Sequence, residues 1–209
     1  MSKSKAVRRV ERADLRVAKK AAKLREDAPV KLLGQASELA DQPQLATICL
    51  TTLAAGLITR DARLTRTGGR MFAALVAATM LKSVVKHVVD RTRPSEAEEH
   101  GYRSGKGRED VGPLNSFPSG HTAGATAVAR ALRHDYPASR WPAAIAVAGV
   151  GGIQLPRGRH YATDIAAGLV VGWVAEAVSE KVFERAPAMG QAISSIRRAA
   201  RRPGRPVPS

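Results

Sequence analysis

The sequence is poor in cysteine and in aromatic rings. A lone Cys49 cannot close an internal disulfide, and no Cys/His cluster shows zinc-ligand spacing, which excludes disulfide-scaffold and zinc-module folds. Cys49 stands in an apolar run and reads as a packing residue. Phe, Trp and Tyr supply only 4% of residues, so core volume must come from Ala, Val, Leu and Ile, which suits helices packed through small side chains. There is no internal repeat and no Gly-rich nucleotide-binding loop. The first 28 residues carry recurring charges rather than an unbroken apolar stretch, so no cleaved secretory signal is expected.

What is abundant is positive charge. The 209 residues hold 34 Lys and Arg against 18 Asp and Glu, a net of +16, in a length that suits one domain. Residues 1–31 carry a net of +7, and residues 197–209 add five arginines and no acid. The intervening body is nearly balanced. Basic ends flanking an apolar body suit anionic headgroups and membrane topology better than nucleic acid, which would be met by charge on the folded surface. No nucleic-acid partner is expected, although a non-enzymatic basic protein binding membrane or nucleic acid through its tails is the alternative of a different class.

Ala6, Val10, Ala13, Val17, Ala21 and Leu24 recur at helical spacing among lysines and arginines, predicting a basic amphipathic tail over 1–28, either solvated or lying on a membrane. Apolar segments follow at Leu45–Thr59, Met71–Val85, Thr122–Leu132, Ala143–Leu155 and Ile165–Val178. Each is shorter than the roughly 20 residues of a perpendicular span, and Lys82 interrupts the second, but flanking basic side chains can lengthen them by reaching the interface. The predicted fold is all-α, a membrane-embedded bundle of about five apolar helices over residues 29–190, with a soluble bundle as alternative. Residues 191–209, with Pro203, Pro206 and Pro208, read as a disordered basic tail. The long polar stretch Asp90–Ser119 exceeds an ordinary helix connection, and such loops usually have a task.

Three clusters border the apolar segments: Lys86 to Arg93-Pro94, Pro118-Ser119-Gly120-His121, and His160 to Asp164. If the second helix continues through Lys86, that lysine lies two turns before Arg93 on one face, and Pro94 stops the helix. Ser119 is a natural N-cap; Gly120 lets an anion approach the helix-end amides, and His121 can donate a proton. His160 and Asp164 are one helical turn apart, so the carboxylate can fix the imidazole tautomer and strengthen its free nitrogen as a nucleophile. Together these suggest phosphoryl transfer without a metal or other cofactor, since no carboxylate and imidazole set suited to a two-metal site is evident.

The motifs resemble those of the type 2 phosphatidic acid phosphatase superfamily: Lys, six residues, Arg-Pro; then Pro-Ser-Gly-His; then Ser-Arg, five residues, His, three residues, Asp. The resemblance implies a membrane phosphatase acting on a lipid phosphate monoester or diphosphate. In it His160 would attack phosphorus to give a phosphohistidine, Asp164 would orient it, and His121 would protonate the leaving oxygen. Lys86, Arg93, Ser119 and Gly120 would bind the phosphoryl oxygens. A soluble or peripheral acid phosphatase of the same fold is the alternative, and vanadium-dependent haloperoxidases share the resemblance. One position departs from it: Gln154 stands where the third motif has arginine, so Gln154 itself, or Arg157 or Arg159 swinging in, would fill the place.

The positive-inside rule puts the Arg60–Arg70 loop, the Arg133–Arg140 loop and Ser209 on the cytoplasmic side, with catalysis facing outward from a bacterial inner membrane. A dip of residues Val30–Gln44 into the bilayer would keep the N-terminal tail cytoplasmic as well.

Overall fold

The computed structural model describes residues 4–107 and 114–200, with side chains described through Arg185. Helices α1 (Lys5–Ala22), α2 (Ala28–Ser37), α3 (Gln42–Thr59) and α4 (Ala62–Val88) follow in order. A hairpin of β1 (Val89–Arg91) and β2 (Ser104–Lys106) encloses the short α5 (Pro94–His100). Then come α6 (Gly120–Asp135), α7 (Arg140–Ile153) and α8 (Ala162–Ala200). Four of the apolar segments lie wholly within α3, α4, α6 and α8, and the fourth in chain order forms α7 up to Ile153, two residues short of Leu155. The helix α8 continues to Ala200, into the stretch expected to be disordered, because no proline interrupts it after Pro187 before Pro203. Residues 201–209, including the rest of that tail, lie outside the described residues.

Small side chains set the packing, as the scarcity of aromatics requires. A Cβ on Gly172 of α8 would come 2.4 Å from the Ala123 carbonyl oxygen of α6, so these helices pack with backbones nearly touching. The core gathers Leu45 and Cys49 of α3, Met71, Ala74, Leu75 and Ala78 of α4, Ala127, Val128 and Ala131 of α6, and Ala175 of α8. Cys49 is fully buried there, a packing residue as expected. Outside this core the bundle keeps an apolar coat. Ile58 is 82% exposed and Ile145 71%, with Leu57, Met80, Val84 and Val170 similarly bare. An apolar surface this wide on a helical bundle suits lipid rather than water. Helix α4 and residues Ala162–Arg185 of α8 are each long and apolar enough to cross a bilayer.

One end of the bundle is crossed by ion pairs. Asp135 takes Arg66 at 2.6 Å and Arg70 at 3.0 Å, and Glu176 takes Arg130 at 2.7 Å and His134 at 2.6 Å. The other end holds the hairpin, α5, α2 and α1. Helix α4 stops at Val88, and Val89–Arg91 pairs antiparallel with Ser104–Lys106. Pro94 therefore does not end α4, as the spacing predicts; it opens α5, and Arg93 lies on extended backbone. Consecutive β-branched residues at Val88 and Val89 favour that switch. Helix α1 is not a free tail, because Asp14 and Ala18 are buried against this end. Residues 30–44 form α2, a single 3-10 turn and the start of α3, at the same end as α1.

Candidate active site

The three clusters meet at that end around a cavity of about 360 Å³ lined by Lys82, Lys86, Arg93, Gly120, His121, Arg159 and His160, with Glu38, Asp41, Gln42 and Pro43 forming the far wall. The two imidazoles, His121 and His160, meet edge-on with ring centroids 6.4 Å apart. His160 is 4% exposed. Its Nδ1 lies 2.8 Å from the Ser116 carbonyl oxygen and 3.9 Å from Asp164 Oδ2. The backbone oxygen therefore takes the hydrogen bond, and Asp164 acts as a nearby charge rather than the direct partner that the one-turn spacing suggests. Nε2 is left as the free nitrogen. Burial pushes the His160 imidazolium below its ordinary range, opposed by Asp164 and the Ser116 carbonyl.

Asp164 is fully buried and well supplied with donors. Ser116 Oγ donates to Oδ2 at 2.5 Å and the Tyr161 amide at 2.8 Å, while Arg91 donates to Oδ1 at 2.8 Å. The opening of α6 is built as its sequence predicts: Ser119 caps the helix through the Thr122 amide at 3.4 Å. Ser119 is fully buried in that role, accepts a second bond from Thr122 Oγ1, and does not line the cavity. Gly120 does line it, and a Cβ there would come 3.3 Å from the Lys82 side chain.

His121 is drawn down to about 4, first by burial and then by the neighbouring His160, with Glu38 working the other way. Asp41 Oδ1 is 2.9 Å from His121 Nε2, at an angle that makes no hydrogen bond. Glu38, Asp41 and His121 bring three potential ligand atoms within 4.8 Å of one another, a grouping hidden by the sequence distance between them. Glu38 is already bonded to Arg157, whose guanidinium holds its carboxyl below the usual range, whereas burial and Glu38 raise that of Asp41.

At the altered arginine position the structure separates the three alternatives. Gln154 is fully buried and turned away from the cavity, its Nε2 donating to the Val150 carbonyl at 3.1 Å and to Ser37 Oγ at 3.3 Å. Arg157 does not line the cavity either; it binds Ser37 Oγ at 2.8 Å and Glu38 of the far wall. Arg159 is the arginine that lines it. Burial and then the charge of Arg159 push Arg93 down, and Arg93 Nε is buried without a hydrogen-bond partner. Lys86 lines the cavity too, with Nζ donating to the Asn115 carbonyl at 2.9 Å. Lys82 lines the cavity although no motif includes it; a lysine one helical turn before Lys86 in an otherwise apolar segment is its only mark in the sequence. Glu38, Asp41 and Ser116 had no local signal, since each gains its role from partners more than 40 residues away.

The PAP2 superfamily profile matches residues 67–186. Lipid A 1-phosphatase of Rhizobium etli is 28% identical over 105 residues, 50% of this chain and 45% of the relative. Lipid A 1-phosphatase of Rhizobium johnstonii is 27% identical over 118 residues, 56% of this chain and 48% of the relative. The chain thus spans about half the length of the curated relatives it matches. The crystal structure of a transmembrane PAP2 type phosphatidylglycerolphosphate phosphatase from Bacillus subtilis superposes with a TM-score of 0.65 at 21% identity, covering 88% of this chain and 89% of that one. Aquifex aeolicus LpxE superposes with a TM-score of 0.56 at 19% identity, over 81% and 95%. With a profile match over more than half its length and the helical fold in common, the chain belongs to the PAP2 superfamily.

Proposed function

We propose that the protein is a membrane phosphatase that hydrolyses a lipid phosphate monoester or diphosphate through a phosphohistidine. The observation that carries this reading is one cavity lined by two edge-on imidazoles and four cations, Lys82, Lys86, Arg93 and Arg159, with the buried Nε of Arg93 making no hydrogen bond. A phosphoryl group is the chemistry that pairs such cations.

In the first step His160 Nε2 attacks phosphorus; the P–N bond forms as the bond to the lipid oxygen breaks, and that oxygen takes a proton from His121. In the second, water gives its proton to His121 and attacks the phosphohistidine, breaking the P–N bond and releasing phosphate. Lys82, Lys86, Arg93 and Arg159 hold the equatorial oxygens with the Gly120 amide. Asp164 stabilises the imidazole as it gains charge. The bare apolar coat around the bundle presents the cavity mouth to substrates held in a bilayer, and the names of the lipid A 1-phosphatase relatives favour the same class. No metal is required, because four side-chain cations supply the charge.

The reading is tested by phosphate release from micelles of phosphatidate, phosphatidylglycerol phosphate, an isoprenyl diphosphate and a lipid A 1-phosphate, each with EDTA. Release from at least one, persisting in chelator and inhibited by vanadate, is expected. Activity abolished by EDTA and restored by magnesium would reject metal independence and point instead to Glu38, Asp41 and His121.

A further inference from the structure

Helix α1 brings a carboxylate into the catalytic end that no motif includes. Asp14 is 4% exposed on an otherwise basic helix, and its Oδ2 lies 2.7 Å from Arg91 Nη2. Arg91 turns its other amino group to Asp164 Oδ1 at 2.8 Å and to Thr163 Oγ1 at 2.7 Å. Asp14 also accepts from the Thr163 amide at 3.3 Å, in the first turn of α8, and from the Thr163 hydroxyl. The guanidinium cannot swing away, since it lies 4.1 Å from the Tyr161 ring centroid and 5.7 Å from that of Tyr102. Three buried charges therefore run in a line, acid, base, acid, toward the imidazole of His160.

Resting on the phosphohistidine reading above, we propose that Asp14 is a positioning residue for the nucleophile, acting through Arg91 on Asp164. Alone, a buried guanidinium would take up the charge of Asp164 and leave little for the imidazolium that develops at His160. Asp14 neutralises the far side of Arg91, so the charge of Asp164 stays available at 3.9 Å from His160 Nδ1. The N-terminal helix is thus part of the catalytic apparatus. Groups facing the imidazole from other elements are Asp164, the Ser116 carbonyl, His121 and Arg93; those facing Arg91 are Asp14, Asp164, Tyr102 and Tyr161.

A salt bridge that merely anchors α1 would predict lost stability with an unchanged titration of His160. The test uses the full chain in detergent micelles, with kcat and KM on phosphatidate across pH and, independently, the His160 titration by NMR. In Asp14→Asn, kcat falls at least about fivefold at similar KM, and the acid limb and the His160 midpoint move to lower pH by about half a unit or more, because a negative charge that favoured imidazolium is gone. Arg91→Gln moves the midpoint upward, and the double variant Asp14→Asn, Arg91→Gln, which removes one charge of each sign and keeps the net charge of the cluster, returns it close to wild type. Asp14→Glu, which keeps the charge, holds the midpoint. Glu11→Gln, on the same helix and bonded to Tyr102, leaves it unmoved. A midpoint unchanged in both Asp14→Asn and Arg91→Gln overturns the proposal. Absence of phosphatidate turnover in wild type, or full turnover in His160→Ala, counts instead against the phosphohistidine reading on that substrate, and the NMR midpoints still decide the role of Asp14.

Discussion

Arg157 and Arg159 flank a single glycine yet point to different tasks. Gly158 takes φ +68°, a conformation that L side chains rarely adopt, and the turn it permits sends Arg157 to Ser37 and Glu38 and leaves Arg159 in the cavity. Sequence alone left these two arginines and Gln154 as open alternatives, because the choice depends on that turn and on α2. Arg159→Ala is therefore expected to slow turnover at least tenfold, about 1.4 kcal/mol of transition-state stabilisation, while Arg157→Ala has the smaller effect; phosphate-release kinetics on both variants check this. The buried imidazoles make a second, pH-linked prediction. His121 and His160 both titrate below their ordinary range, so the stability they contribute is complete above the unfolded value near 6.5 and is lost as pH falls toward about 4, the value of His121. Melting in detergent at pH 7.5 and 4.5 should show a larger acid loss for wild type than for His121→Gln, by on the order of 1 kcal/mol or more. Equal losses would mean that His121 is solvated.

Among the elements, the α6 and α8 pair shows how composition becomes geometry. Gly168 and Gly172 lie one turn apart on α8, and a Cβ at either would meet α6-side backbone, Ser119 O at 2.7 Å or Ala123 O at 2.4 Å. Alanine favours helix over glycine by about 1 kcal/mol, but here the clash wins, and Gly172→Ala is expected to destabilise by about 1–3 kcal/mol with a lowered melting temperature. Unchanged melting would mean that the helices can part. These apolar helices were legible because their runs of small and aliphatic residues are long and bounded by basic residues. The hairpin was not: Ser104-Gly105-Lys106 has no strand signature, and only pairing with Val89–Arg91 makes it one. Helix α1 shows both sides. Its apolar stripe was visible, but the partner of Asp14 lies 77 residues away, so docking could not be read from the stripe.

For the molecule as a whole, charge and catalysis divide between the two ends of the bundle. Arginines of the 60–70 and 130–140 stretches gather opposite the cavity, and we propose on the positive-inside rule that the catalytic end, with α1, faces outward. In a Cys49→Ala background an impermeant thiol reagent should reach a cysteine at Gly105 in intact cells but not one at Ala138; the reverse pattern would invert the orientation. The order and spacing of the three clusters carried the site, because each stands at an element boundary that the fold brings to one end. The walls supplied by α2 and the following turn had no such marker. The central claim is that His160 carries the phosphoryl group, and trapping tests it most directly. Rapid acid- or base-quench of the enzyme with radiolabelled lipid phosphate should yield a labelled protein that is stable in base, labile in acid, and absent in His160→Ala. Normal labelling of His160→Ala, or an acid-stable label on wild type, would contradict it.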